Sequence, residues 1–110
     1  MKNKMPVVFV GHGSPMNAIE DNQYSRSWTE LGKKLESPKA ILSVSAHWFT
    51  RGTKVNDSKT PAMIYDMYGF PDELYQLKYP APGSPELAYQ VRDLVGDFVT
   101  IDNNWGIDHG

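Results

Sequence analysis

At 110 residues the chain is sized for one small domain or for part of a larger one. Its residues are 40% hydrophobic and 22% charged, a balance that suits a packed globule and excludes wholesale disorder. With 11 basic and 13 acidic side chains, the net charge is -2, and no run of Lys or Arg offers a stripe for phosphates, so nucleic acid is not an expected partner. The absence of cysteine removes disulfides, thiolate zinc sites and a cysteine nucleophile together. It also agrees with a reducing cytoplasm. Residues 1–6 lead into only four apolar residues, Val7-Val8-Phe9-Val10. That run is too short for the apolar region of a signal peptide and far short of a membrane span. A soluble, cytoplasmic protein with no membrane partner is expected.

In chain order, residues 7–10 form a continuous apolar run closed by Gly11, the pattern of a strand buried on both faces. Gly11-His12-Gly13-Ser14-Pro15 reads as a turn, being punctuated by Gly and Pro. A helix should follow, capped by Ser25 or Ser27, carrying Trp28, Leu31 and Leu35 at helical spacing, and ended by Ser37-Pro38. Residues 40–46 read as a second strand. Strand, helix and strand at this spacing make a βαβ unit with parallel strands. Residues 51–85 are read as one long irregular segment, rich in proline and tyrosine, and its aromatic density favours an ordered loop over a linker. Ser84-Pro85-Glu86 opens a helix through Leu87, Val91 and Leu94, with Ser84 as N-cap. Residues 97–101 complete the set as a third strand. Asn104-Trp105-Gly106-Ile107-Asp108-His109-Gly110 reads as a turn leading to a further element, which suggests a truncated chain.

His12 and His47 each follow an apolar run that reads as a strand. Ligands in open parallel sheets bind beyond the carboxyl ends of the strands, so neighbouring strands would bring both imidazoles to one sheet edge. Imidazole suits iron, zinc, copper or nickel, and an iron oxygenase adds a carboxylate to two such ligands while keeping open positions. A single histidine after a strand is more often a loop residue, and the spacing here is no compact metal motif. His109 is either a third site residue, its tautomer held by Asp108, or a turn histidine. Gly11 and Gly13 would allow close backbone approach to a ligand, but the third glycine of a dinucleotide fingerprint is missing, as is Gly-x-Ser-x-Gly. Trp48, Phe49, Tyr65, Tyr68 and Phe70 either wall an aromatic-substrate pocket or are ordinary core.

Four blocks, taken together and in order, carry a resemblance. They are Phe9-Val10-Gly11-His12-Gly13-Ser14-Pro15-Met16-Asn17, Ser43-Val44-Ser45-Ala46-His47-Trp48, Tyr79-Pro80-Ala81-Pro82-Gly83-Ser84-Pro85 and Trp105-Gly106-Ile107-Asp108-His109-Gly110. They resemble the class III extradiol ring-cleavage dioxygenases, in the 4,5-DOPA dioxygenase branch. The resemblance implies a three-layer α/β sandwich with a mostly parallel central sheet, of which residues 1–110 would be the N-terminal part of a single catalytic domain. It implies ring opening of a DOPA-like catechol by O₂ at a metal, Fe(II) in the family and Zn(II) in some isolated members. It matches His12 and His47 to the first two metal ligands and His109 to a catalytic-site histidine, with the third metal ligand beyond residue 110. The alternatives are a non-catalytic metal-binding remnant and a zinc-dependent hydrolase.

Overall fold

The computed structural model describes residues 4–110. Residues 1–3, which precede the first apolar run, lie outside the described residues. The chain divides into two compact units, Met1–Ser43 and Val44–Gly110.

The first unit holds a 3-10 turn, Pro15–Ala18, and helix α1, Gln23–Lys34. Ser14 caps the 3-10 turn by accepting from the Met16 N–H, with Pro15 at the first position where a missing N–H costs nothing. The cap of α1 is Asn22 rather than either expected serine. Its side-chain oxygen accepts from the N–H groups of Tyr24 (2.9 Å) and Ser25 (3.0 Å), and the Ser25 hydroxyl accepts in return from the Asn22 N–H (2.9 Å). Ser25 is thus the reciprocal half of a capping box, three residues inside the helix. Lys33 and Lys34 occupy the last turn, where positive charge suits the exposed carbonyls. The backbone turns extended at Leu35, ahead of Ser37-Pro38.

Neither expected strand over residues 7–10 or 40–46 forms a ladder among the described residues. Val7 and Phe9 are almost fully exposed, at 99% and 98%, and Ile41 and Val44 are largely so. An apolar run specifies an extended, water-avoiding segment. A strand also needs a neighbour's N–H and C=O groups, and one run cannot specify those.

The second unit is a small α/β arrangement. Strand β1, Thr53–Val55, pairs in parallel with strand β2, Val99–Ile101, in the register Thr53↔Val99, Lys54↔Thr100, Val55↔Ile101. The connection carries α2, Asp72–Tyr75, and α3, Pro85–Val95. α3 packs against both strands. The α/β class, the Ser84-capped helix and the strand near residue 100 follow the sequence reading, whereas the parallel pairing expected of residues 7–10 and 40–46 is made instead by β1 and β2. β1 and α2 do not, since they fall in the segment read as irregular. Three residues with little apolar contrast, Thr53-Lys54-Val55, become a strand only because β2 is there to pair with them. Leu74 of α2, Ala88 of α3 and Val99 of β2 are the buried apolar side chains among the described residues. Among the described residues no helix is long and apolar enough to cross a membrane.

Pairing continues beyond the strands. The Asp102 N–H donates to the Val55 carbonyl (3.0 Å), the Asn56 amide donates to the Trp105 carbonyl (2.8 Å), and Met63 bridges Ile107 in parallel. At that bridge the Ile64 N–H donates to the Ile107 carbonyl and the Ile107 N–H to the Ala62 carbonyl, both at 2.7 Å. Gly106 lies so close to the Ala62 backbone that a Cβ there would collide with it. Replacing Gly106 with Ala is expected to destabilise the unit by about 1–3 kcal/mol, because backbone rather than a flexible side chain must yield. Urea denaturation of the variant beside the wild type measures this.

The Lys54 ammonium lies 2.9 Å from Asp102 Oδ2, joining β1 to the end of β2. That hydrogen bond, helped by the Asn104 N–H, holds the Asp102 carboxyl below its ordinary value. A depressed carboxyl stabilises the fold above the unfolded-state value of about 4, and the contribution is lost as pH falls through the lower folded value. Asp102→Asn is therefore expected to melt earlier than the wild type at pH 7. Thermal melts in a descending pH series should show that deficit shrinking below about pH 4.

Candidate metal centre

In the first unit His12 sits between Gly11 and Gly13. Gly13 has φ of 63°, a left-handed conformation that a side chain would strain, and an added Cβ would also press on the Asn17 amide. The Asn17 amide donates to the His12 carbonyl (3.0 Å), and its oxygen accepts from Asn22 (2.7 Å), the cap of α1. The turn is thus fastened to the start of the helix. The His12 Nδ1 lies 2.9 Å from the Gly13 carbonyl oxygen. A carbonyl only accepts, so Nδ1 carries the hydrogen and Nε2 is the nitrogen with the lone pair.

In the second unit His47 occupies a turn, its N–H donating to the Ser45 hydroxyl (3.1 Å). His109 lies just past the Met63–Ile107 bridge. The two rings meet edge to face with centroids 4.0 Å apart. Asp66 holds them together. Its Oδ2 is 2.7 Å from Nδ1 of His47, and its Oδ1 is 2.7 Å from Nδ1 of His109. The backbone N–H of His109 also donates to Oδ1 (3.3 Å). Desolvation pushes the Asp66 carboxyl up, but hydrogen bonds from the His109 ring, the His47 ring and the backbone outweigh it and hold the group at about 2. At neutral pH it is a carboxylate with no hydrogen to give. Both Nδ1 atoms must therefore be N–H donors, which leaves Nε2 of each ring as its basic nitrogen.

All three histidines accordingly present the same tautomer, each fixed by an oxygen that can only accept. This is the arrangement by which metal-ligating imidazoles are usually oriented, with the ring nitrogen opposite the metal donating to a carboxylate or a carbonyl. Asp108, the neighbour in sequence that could hold the His109 tautomer, does not bond to its ring. Asp108 has other partners. Its Oδ1 accepts from the Ser45 hydroxyl (2.6 Å) and the Gly110 N–H (2.9 Å), and its Oδ2 accepts from the Trp105 indole N–H (2.7 Å). It locks the turn that carries His109 to the turn that carries His47. Asp66 escaped notice because it lies within the segment read as irregular. Its one sequence signal is an acidic residue directly after the apolar run Ala62-Met63-Ile64-Tyr65.

The aromatic residues divide. Phe49 and Tyr68 are exposed. Tyr65 is tied into the unit by its hydroxyl, which donates to the Leu77 carbonyl (2.6 Å), and its ring packs at a tilt against Tyr75. Asp108→Ala would strand the Ser45 hydroxyl and the Trp105 indole N–H together. The expected loss is about 1–3 kcal/mol, with a change in Trp fluorescence under native conditions. Chemical denaturation followed at the indole emission checks both.

Comparison with known proteins adds a second line. No family model matches the chain. It is 56% identical over 109 residues to a 4,5-DOPA dioxygenase extradiol of Escherichia coli, a match covering 97% of this chain and 40% of that protein. It is 45% identical over 109 residues to a 4,5-DOPA dioxygenase extradiol of Beta vulgaris, covering 93% of this chain and 41% of the relative. To the dioxygenase tasH of Hapsidospora irregularis it is 33% identical over 121 residues, covering 96% of this chain and 37% of the relative. The chain spans about 40% of the length of the curated relatives it matches, and along nearly all of its own length it is a homologue of proteins named extradiol dioxygenases.

Proposed function

We propose that this chain forms part of a metal-dependent extradiol dioxygenase that opens the ring of a DOPA-like catechol with O₂. The observation that carries the reading is the identity of 56% to a relative named as such an enzyme. The histidine chemistry supports it. His12 in the first unit and His47 and His109 in the second each have their Nδ1–H engaged by an acceptor, as metal-ligating imidazoles commonly do. Of the three we assign His12 and His47 as metal ligands and His109 as the catalytic residue that meets the substrate. Further ligands would come from sequence that the relatives have and this chain does not span.

Neutral imidazole nitrogens fit Fe(II) or Zn(II), and the chemistry assigned to O₂ favours Fe(II). When bound, the metal supplies a Lewis acid and a template for the catechol oxygens and O₂. The chain's own residues do the rest. The Gly13 carbonyl and Asp66 accept from the Nδ1–H groups, which leaves Nε2 as the coordinating nitrogen and fixes the rings in direction. The His109 ring, anchored on its Nδ1 side, orients a catechol hydroxyl of the substrate. A cytoplasmic setting belongs to the same reading, in keeping with a chain that has no cysteine.

The test is a chimera in which this chain replaces the matching part of the Escherichia coli relative. With Fe(II), DOPA and air it is expected to form the yellow ring-opened semialdehyde. His12→Ala and His47→Ala should each lose metal and reduce turnover by at least about 100-fold, as loss of a ligand exceeds the 10–100-fold typical of losing a ligand's supporting partner. A folded, metal-loaded chimera that leaves DOPA intact would defeat the dioxygenase reading in favour of a metal-binding remnant. Ester or amide hydrolysis with Zn(II) in its place would favour a hydrolase.

A further inference from the structure

We infer that Asp66 is a positioning residue that sets the tautomer and direction of two histidines at once, His47 and His109. Three donors converge on its two oxygens, the His47 ring on Oδ2 and the ring and backbone N–H of His109 on Oδ1. The carboxylate side chain is 17% exposed, and the two rings are 25% and 18% exposed. Water therefore competes only weakly for these bonds.

Only a carboxylate serves both rings. Each imidazole approaches with the same nitrogen, so the residue between them needs two acceptors and no donor. Asparagine has the same shape but one acceptor and one donor. It satisfies one Nδ1–H and turns an N–H₂ group against the other. The opposed ring must then move its hydrogen to Nε2 or rotate away. Alanine offers neither Nδ1–H an acceptor. A free neutral histidine mostly carries its hydrogen on Nε2, so the Nδ1–H form of both rings is a state that Asp66 imposes rather than one they hold by default.

The placement of Asp66 is set by the backbone. Met63 is bridged to Ile107, with reciprocal N–H to carbonyl bonds from Ile64 and to Ala62. That register brings the residue three after Met63 beside the residue two after Ile107. A shift of one residue in the pairing would turn Asp66 to the opposite face. The inference about tautomers needs only the apo chain. Its extension to metal affinity rests on the reading of His47 as a ligand.

The experiment uses ¹⁵N-histidine-labelled chain and its Asp66→Asn and Asp66→Ala variants. Long-range ¹H–¹⁵N spectra of the metal-free proteins, recorded about two units above the ordinary histidine value of about 6.5, read the tautomer of each ring. His12 serves as the internal control, since its Nδ1 faces the Gly13 carbonyl. The wild type should show the Nδ1–H form at His47 and His109. One of the two should convert to the Nε2–H form in Asp66→Asn and both in Asp66→Ala, with His12 unchanged in each. Competition of Zn(II) against a chromophoric chelator is then expected to show a 10–100-fold weaker site in Asp66→Asn, the range for loss of a ligand's supporting partner. Retention of the Nδ1–H form at both rings in a folded Asp66→Asn would overturn the inference, and unaltered Zn(II) affinity despite altered tautomers would overturn its extension to metal affinity. If Asp66→Ala unfolds, the isosteric Asp66→Asn carries the decision alone. Should the wild type show the expected tautomers but take up no Zn(II), the metal-centre reading fails while the positioning role of Asp66 stands.

Discussion

One carboxylate shared by two imidazoles is the constraint on which the second unit turns. Asp66 carries a negative charge among partly buried groups, and such a charge persists only when its lone pairs are met. Here they are met by His47 and His109, residues on two different turns. The backbone makes this meeting possible. The parallel β1–β2 ladder, the Asn56 amide on the Trp105 carbonyl and the Met63–Ile107 bridge join the segment 53–66 to the segment 99–110 at three successive places. The close passage of Gly106 over the Ala62 backbone belongs to the same alignment. The site is the far end of a sheet edge, and its accuracy is inherited from hydrogen bonds made well before it.

A second carboxylate does different work. Asp108 stands directly before His109 yet bonds to Ser45, Trp105 and Gly110. It fixes the positions of the two turns, while Asp66 fixes the rings that the turns carry. His47 has its backbone N–H on Ser45 and its imidazole on Asp66, whereas Asp66 takes both the ring and the backbone N–H of His109. Preorganisation of this kind is what a site needs if its geometry is to be set before anything binds.

The first unit reaches the same chemical end by cheaper means. His12 is held by a neighbouring carbonyl, within a turn that Gly13 permits and that Asn17 and Asn22 tie to α1. A carbonyl supplies direction without charge. A neutral acceptor thus supports the imidazole of the first unit and an anion supports the two of the second. The likeness to proteins named 4,5-DOPA dioxygenase extradiol gives these histidines a chemical context. The tautomer argument stands on the structure apart from it.

The sequence by itself determined the local features. Ser84-Pro85 marked the start of α3, residues 97–101 marked a strand, and Gly11-x-Gly13 marked a turn around His12, because caps, prolines and glycines act on their immediate neighbours. The four blocks also placed the chain beside its relatives, since identity along a chain needs no coordinates. Tertiary structure alone decided the partners. It made Thr53-Lys54-Val55 a strand, which no periodicity announced, and withheld a ladder from residues 7–10 and 40–46, which periodicity favoured. Strand formation depends on a second segment that pattern within the first cannot name. It gave His109 to Asp66, 43 residues away, and Asp108 to Ser45, 63 residues away. Proximity in sequence favoured the pairing of Asp108 with His109, but a carboxylate's partner is whichever donor the backbone register brings within reach.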